Sequence, residues 1–367
     1  MPDGVSVPAG ETGITLRGVA LAVALALMVG WVLYLGRGIF VPIISAVLII
    51  YVIVGVARVT VGLPVVGRLL PLRVHYILAA VAIALGLIEL VNVFTANLAA
   101  IVARAPQMQA QLMGLIQLYA EDLGVEDTLT WETVRRYALG QVNLQTALRT
   151  GLTSAASLVS GLFLVLLNVA FMMMEQRSFY TKLERLFPDP ARCARLLAVV
   201  QDINARVGRY LAVKTMINVV LGVVSYAILW AFGVEFAVFW AIVIAVLNYI
   251  PYIGSFIGVA FPVALAVVQF GEIEAVLLLA LALIAAQITM GNVVEPQVMG
   301  TSLNLSPYVI LVALTAWSSL WGVTGAIVSV PITAVVVIVF AEFEQTRPLA
   351  VLLSRHGELY DDAGKVR

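Results

Sequence analysis

The residues equipped to do chemistry are sparse, and they gather in the last third of the chain. Glu295 and Pro296 follow directly on an apolar run, with Gln287 and Asn292 before them and Asn304 after. Upstream stands Asn248-Tyr-Ile-Pro251-Tyr-Ile-Gly254-Ser255, and downstream Gly322-Val-Thr-Gly325 leads to Pro331. These are amides, hydroxyls, one carboxylate and several helix breakers. Amides and hydroxyls can hydrogen-bond a polyhydroxylated solute without burying ions, and a carboxylate can hold a cation. An ionisable group near membrane depth is expensive and marks a pathway by default. Glu295 has a blander reading, as an interfacial residue that caps or pairs locally, and the sequence leaves both open.

The same inventory is poor in catalytic means. There is one cysteine, Cys193, and there are two histidines, His75 and His356. A disulfide framework is excluded, and little remains from which to build a zinc site. Neither His-Glu-x-x-His nor Gly-x-x-x-x-Gly-Lys occurs. No enzyme activity, metal or cofactor is expected. Lys and Arg total 21, as do Asp and Glu, so the net charge is zero. A bulk electrostatic case for nucleic acid is missing.

Elements must position these groups, and composition says in what solvent. Hydrophobic residues make up 62% of the chain and charged ones 11%, against about 25% charged in soluble domains. Such a chain cannot cover itself with polar groups in water, but apolar side chains may face lipid. A spanning helix needs about 20 mostly apolar residues. Runs of that kind lie at 15–36, 39–57, 74–101, 151–174 and 211–232, followed by 236–270, 274–291 and 305–341. Strict two-residue alternation is missing, which argues against a β-barrel. The fold class expected is all-α, a polytopic transmembrane bundle. The first apolar run lacks the basic start and short core of a secretory signal, so it reads as a retained span.

Two segments interrupt the apolar pattern. Residues 104–150 hold two helical periodicities, Met108-Leu112-Leu115-Tyr119 and Trp131-Val134-Ala138-Val142, the second capped by Thr130. In 176–210, Asp189-Pro190 reads as an N-cap with proline at the first helical position. Leu196, Val200, Ile203, Val207 and Tyr210 share one face, with Arg192, Arg195, Arg206 and Arg209 beside it. That helix suits an anionic membrane surface, or else packs on other helices. Lys and Arg near the span ends place 176–214 and 58–73 in the cytoplasm. Both termini are then cytoplasmic, and 104–150 is extracytoplasmic. The organisation expected is 1–103 N-terminal membrane helices, 104–150 helical insertion, 151–175 membrane helix, 176–210 basic amphipathic helix, 211–341 transport core and 342–367 cytoplasmic tail.

The runs 236–270 and 305–341 are too long for one straight crossing and are broken by Pro and Gly. Pro251 cannot donate a backbone hydrogen bond and disfavours helix in its predecessor. Irregular backbone survives in hydrocarbon only when buried in protein or beside a wet cavity. Two broken or re-entrant hairpins are therefore expected, near Pro251 and near Gly322 to Pro331. Opposite entry, with tips meeting near the midplane, would follow the inverted-repeat logic of secondary transporters.

Three segments carry a specific resemblance. Asn248-Tyr-Ile-Pro-Tyr-Ile-Gly254, Glu295-Pro-Gln-Val-Met-Gly300 with Pro307, and Gly322-Val-Thr-Gly-Ala-Ile-Val-Ser-Val-Pro331 resemble the signature segments of the autoinducer-2 exporter family of bacterial membrane proteins. Two departures show: Ser255 stands where that family often has proline, and Trp317-Ser-Ser-Leu-Trp321 replaces a glycine-richer stretch. The resemblance implies a transporter of the inner membrane with elevator-like, alternating-access movement. Its cargo would be the quorum-sensing furanone, another small organic solute, or sodium in exchange for protons. It also implies homo-oligomers, including pentamers. The partners expected are thus a small organic solute or cation, the lipid bilayer and further copies of the chain, with no nucleic acid. A membrane scaffold using 104–150 is the alternative from another class. The substrate- or ion-binding residues expected are Asn248, Pro251, Gly254, Ser255, Gln287, Asn292, Glu295, Pro296, Asn304 and Pro331.

Other polar residues in apolar runs have structural explanations. Glu89 and Asn92 suit pairing between helices or subunits. Asn168 and Asn218 suit interhelical hydrogen bonds. Lys214 suits snorkelling to the cytoplasmic interface.

Overall fold

The computed structural model describes residues 16–62, 70–122, 144–299, 303–355 and 357, and these are almost wholly helical. In chain order the helices are α1 (Leu16–Leu35), α2 (Arg37–Gly62), α3 (Leu72–Asp122), α4 (Leu144–Leu186), α5 (Pro190–Ala231), α6 (Ala237–Leu247), α7 (Ile253–Phe270) and α8 (Ile273–Ile288). A π-helical turn (Thr289–Val294) joins α8 to the short α9 (Glu295–Met299), and α10 (Pro307–Glu342) and α11 (Arg347–Leu353) follow. The described residues form no strand, only one isolated bridge between Leu305 and Ser354. Among the described residues, seven stretches are long and apolar enough to cross a bilayer, the first Arg37–Gly62 and the last Pro307–Glu342. Leu21, Leu27, Trp31, Phe163, Phe171 and Trp230 all point outward. In water such a surface would aggregate; facing lipid, it is solvated. This is a multi-pass, all-α membrane protein.

Two packed units share the central helix α5. In the first, Ala46, Ile53 and Ala57 of α2 are buried with Ala79 of α3 and Val169 of α4. In the second, Leu221 and Leu229 of α5 pack with Ile244 of α6, Ala266 of α7, and Leu279 and Leu283 of α8. Small residues bring α2 and α5 close together: a Cβ added at Gly55 would lie 2.9 Å from that of Ala212. Between helices in lipid, where the solvent is as apolar as leucine, such backbone approach is a main source of attraction.

The structure joins two pairs of segments that the sequence reading divides. The amphipathic stretch 190–210 and the span 211–232 form one continuous helix, α5. Its N-terminus is built as expected, with Asp189 accepting from the Ala191 N–H at 3.0 Å and Pro190 in the first turn. The apolar face is taken by protein: Val207 and Tyr210 are buried, with Leu48 and Tyr51 of α2 packed against their cluster. Likewise α3 runs through Pro106 to Asp122 without a break. Met108 packs on the α5–α8 core, and Leu115 reaches Gly271 at the end of α7. Those contacts hold the helix beyond the proline. The periodicity at 131–142 with its Thr130 cap, His356 and the tail from 358 onward lie outside the described residues.

Both long apolar runs fold back on themselves. Between α6 and α7 the chain turns over 248–252, and Tyr252 takes φ 62°, ψ −52°, a conformation that non-glycine residues rarely adopt. The turn satisfies much of its own backbone: Ile250 N–H donates to Leu247 O at 2.8 Å and Gly254 N–H to Ile250 O at 3.1 Å. A Cβ at Gly254 would fall 1.8 Å from Leu247 O. The second fold lies at Gly322, with φ 62°, ψ −140° inside α10. Trp317 Nε1 donates to Thr333 Oγ1 at 3.2 Å, although 16 positions separate them; a straight helix would hold them over 20 Å apart. A Cβ at Gly325 would fall 1.9 Å from Trp317 O. The bend is thus at Gly322. Pro331 does not mark it, and lies fully buried inside the second arm. The two turns touch: Ile250 beside the first, Ala326 beside the second and Leu314 form one buried cluster, with Leu247 and Ile327 around it.

Candidate functional site

Lys214 of α5 and Glu295 of α9 build the centre of the site. Nζ lies 2.8 Å from both Oε1 and Oε2. The Lys214 side chain is 8% exposed and that of Glu295 24%. Each residue sits in an otherwise apolar stretch, and each supplies the other's counter-charge. One helical turn before Lys214 on α5 comes Tyr210, also buried. One turn after it, Asn218 Oδ1 accepts from Asn248 Nδ2 at 2.8 Å, and Ser255 Oγ stands 3.4 Å from Asn248 Oδ1. Thr215 meets the Tyr249 hydroxyl at 2.7 Å. A ladder of polar contacts thus ties α5 to the first hairpin turn. Buried amides joined in this way hold one geometry, because each lost bond strands a partner without water.

Beside this ladder opens a cavity of about 660 Å³, ample for a small organic molecule. Its walls come from five elements. Tyr210 and Lys214 face it from α5, Asn248, Ile250, Pro251, Tyr252 and Ser255 from the first hairpin, and Gly291, Asn292, Glu295, Pro296 and Met299 from the π turn and α9; Leu303, Asn304 and Leu305 add the loop before α10, and Ile310 and Val330 the two arms of the second hairpin. Arg355 closes the rim. It arrives there because the chain after α11 is stitched to that loop: Ser306 N–H donates to Leu353 O and Arg355 N–H to Asn304 O, each at 3.1 Å. The π turn widens the helix at the cavity wall, a feature that recurs at functional sites.

Of the residues singled out from sequence, Asn248, Pro251, Ser255, Asn292, Glu295, Pro296 and Asn304 line this one cavity. Gly254, Gln287 and Pro331 are not among its lining residues. Gly254 is where α6 and α7 cross. Gln287 is buried beside Gly258 of α7, its Nε2 without a hydrogen-bond partner. Of the aromatic residues near the first turn, Tyr252 faces the cavity, whereas Phe256 is 76% exposed. Sequence reasoning missed Tyr210, Lys214 and Arg355. For Lys214 a signal existed: a buried carboxylate needs a cation, and few lysines stand in apolar runs. The lysine does not snorkel; it is buried and paired. Asn218 bonds between helices as expected, whereas Asn168 donates to Leu164 O of its own helix. Glu89 and Asn92 are exposed on α3. Among the described residues, no three His, Cys, Asp or Glu side chains group as a metal site would require.

Known proteins share this chain's pattern. The model of the AI-2E transporter family matches residues 21–345. The AI-2 transport protein TqsA of Escherichia coli (strain K12) is 36% identical over 209 residues, covering 57% of this chain and 60% of TqsA. A transport-named protein of Borreliella burgdorferi is 29% identical over 249 residues, 66% of this chain and 68% of its own length. YhhT of Escherichia coli (strain K12) is 33% identical over 213 residues, 58% of this chain and 59% of YhhT. The chain therefore spans about three fifths of the length of TqsA and of YhhT.

Proposed function

Because the chain belongs to the AI-2E transporter family, we propose that it carries a small, polar organic solute, autoinducer-2-like in size and hydroxylation, through the cavity between its two hairpins. The observation that supports this most is the cavity itself. Irregular backbone at Tyr252 and Asn304 lies at a hollow edged by amides and hydroxyls, where lipid would not tolerate it. Asn248, Ser255, Asn292 and Asn304 offer donors and acceptors to hydroxyl groups, and Tyr252 offers a ring face. TqsA, an AI-2 transport protein by name, supports the solute class.

The movement we propose is alternating access. Re-entrant hairpins that touch at their turns shift, elevator-like, against the α2–α4 unit, and α5 joins the two. The protein sits in the cytoplasmic membrane with both termini inside, as Lys and Arg near the span ends indicate. Copies assemble into a homo-oligomer, the pentamer being the form the family resemblance implies, through α3, where Glu89 and Asn92 face outward from an apolar helix and need a polar partner in lipid.

A sodium/proton antiporter is the second reading, and Glu295 is the observation that favours it. Its pairing with Lys214 weighs against it, since among the described residues no second carboxylate lines the cavity to take a cation. The scaffold reading leaves the cavity unexplained.

Proteoliposome efflux of labelled small polyols and furanones tests the proposal. The parent chain should release solute, and Asn248→Ala should cut the rate at least about fivefold by breaking the bridge between Asn218 and Ser255, a loss of about 1–3 kcal/mol. Folded, correctly inserted protein with no flux of any such solute would reject it.

A further inference from the structure

A carboxylate set in a transport cavity ordinarily requires a cation, and this chain supplies one from a lysine side chain of its own. Glu295 is the only acidic residue lining the cavity among the described residues. Both of its oxygens lie 2.8 Å from Lys214 Nζ. The ammonium therefore sits between the two oxygens, where a bound monovalent cation would bridge them. Lys214 is held there by burial: its side chain is 8% exposed, and no other carboxylate lies within ion-pair distance of it among the described residues. A sodium ion entering at Glu295 would have to displace the ammonium from both oxygens and leave it without a counter-charge on a mostly buried side chain.

We propose that Lys214 takes the place of a coupling cation at Glu295, so that the cavity works without bound sodium. The inference rests on the transport reading of the same cavity and names how that site is charged. Lysine suits the role because its ammonium is a compact point charge, and because a tethered charge is present whatever the ionic composition outside. Oxygen-bearing side chains share the cavity with the pair, namely Asn292, Asn304 and Ser255. With Lys214 removed, the Glu295 carboxylate would face this oxygen-lined cavity without a counter-charge, which suits it to a hard cation.

The test is equilibrium binding of radiolabelled sodium to the full chain purified in detergent. The parent should show no saturable component that depends on Glu295. Lys214→Met should gain saturable binding at least about tenfold tighter than the parent, and Lys214→Met/Glu295→Gln should lose it again. Lys214→Met without such binding would overturn the inference. Should that variant not fold, the parent and Glu295→Gln decide the matter. Saturable sodium binding by the parent, abolished in Glu295→Gln, overturns the inference, and equal non-saturable binding in both upholds it. Solute efflux measured in sodium and in choline media keeps the two readings apart. Equal flux in both supports the inference, and flux that requires sodium overturns it. Absence of flux in both rejects the transport reading alone, and the sodium-binding comparison still decides the role of Lys214.

Discussion

Lys214 and Glu295 stand 81 positions apart in the chain, yet each makes the other tolerable in an apolar surrounding. Taking either charge away leaves its partner enclosed, which costs about 3–5 kcal/mol when the site is fully buried. Glu295 keeps some contact with the open cavity, so the lower end applies here. Glu295→Leu should therefore lower the thermal unfolding temperature of the detergent-solubilised protein clearly. The double variant Lys214→Met/Glu295→Leu should recover most of that loss, because two buried charges leave together. Strictly additive effects would contradict the pairing. From sequence, Glu295 was legible as exceptional and Lys214 was not, since burial of a long flexible side chain depends on what the opposite helix brings to it.

Among the helices, the two hairpins depend on glycines at their crossings. Gly254 and Gly325 both face a backbone carbonyl of the preceding arm at a distance no Cβ can share, 1.8 and 1.9 Å. This gives the two hairpins a residue-level correspondence that their sequences do not display. Gly254→Ala and Gly325→Ala should each force the arms apart and destabilise by about 3 kcal/mol or more, read as a shift or loss of the monodisperse peak in fluorescence-detected size exclusion after heating. Gly86→Ala in α3, with nothing within 4 Å of an added Cβ, should be neutral or stabilise by about 0.5–1 kcal/mol. Equal behaviour of all three would show that the crossings are looser than described. The hairpins were foreseen from Pro251 and the Gly-rich stretch, but the second bend lies at Gly322 and not at Pro331. Proline in a helix removes one hydrogen bond, whereas Gly322 takes a φ, ψ pair that no other residue type easily reaches.

For the molecule as a whole, orientation and assembly are the consequences to test. Arg192 is 81% exposed on its side chain near the start of α5, on the side assigned to the cytoplasm. In a Cys193→Ser background, Arg192→Cys should react with a membrane-impermeant maleimide in inverted vesicles and not in intact cells. The reverse pattern would invert the topology. Glu89 faces outward from an apolar stretch of α3, and an ionised carboxylate there would face lipid in a lone copy. Glu89→Arg should shift the mass of the solubilised particle toward smaller species. An unchanged mass would remove α3 from the interface.

The sequence by itself determined the solvent and the class of element. An apolar content of 62% with 11% charge demands a bilayer, and a bilayer admits helices whose backbone groups are paired internally. It also marked where that pairing is interrupted, and so seven of the residues that share the cavity. What only the tertiary structure decided is which interrupted segments meet. The clustering of Ile250 with Leu314 and Ala326, the return of Arg355 to the cavity wall and the pairing of Lys214 with Glu295 all join residues distant in the chain. Local propensity acts over a few residues, so it carries no record of them. They arise when apolar faces pack and the remaining charges find each other.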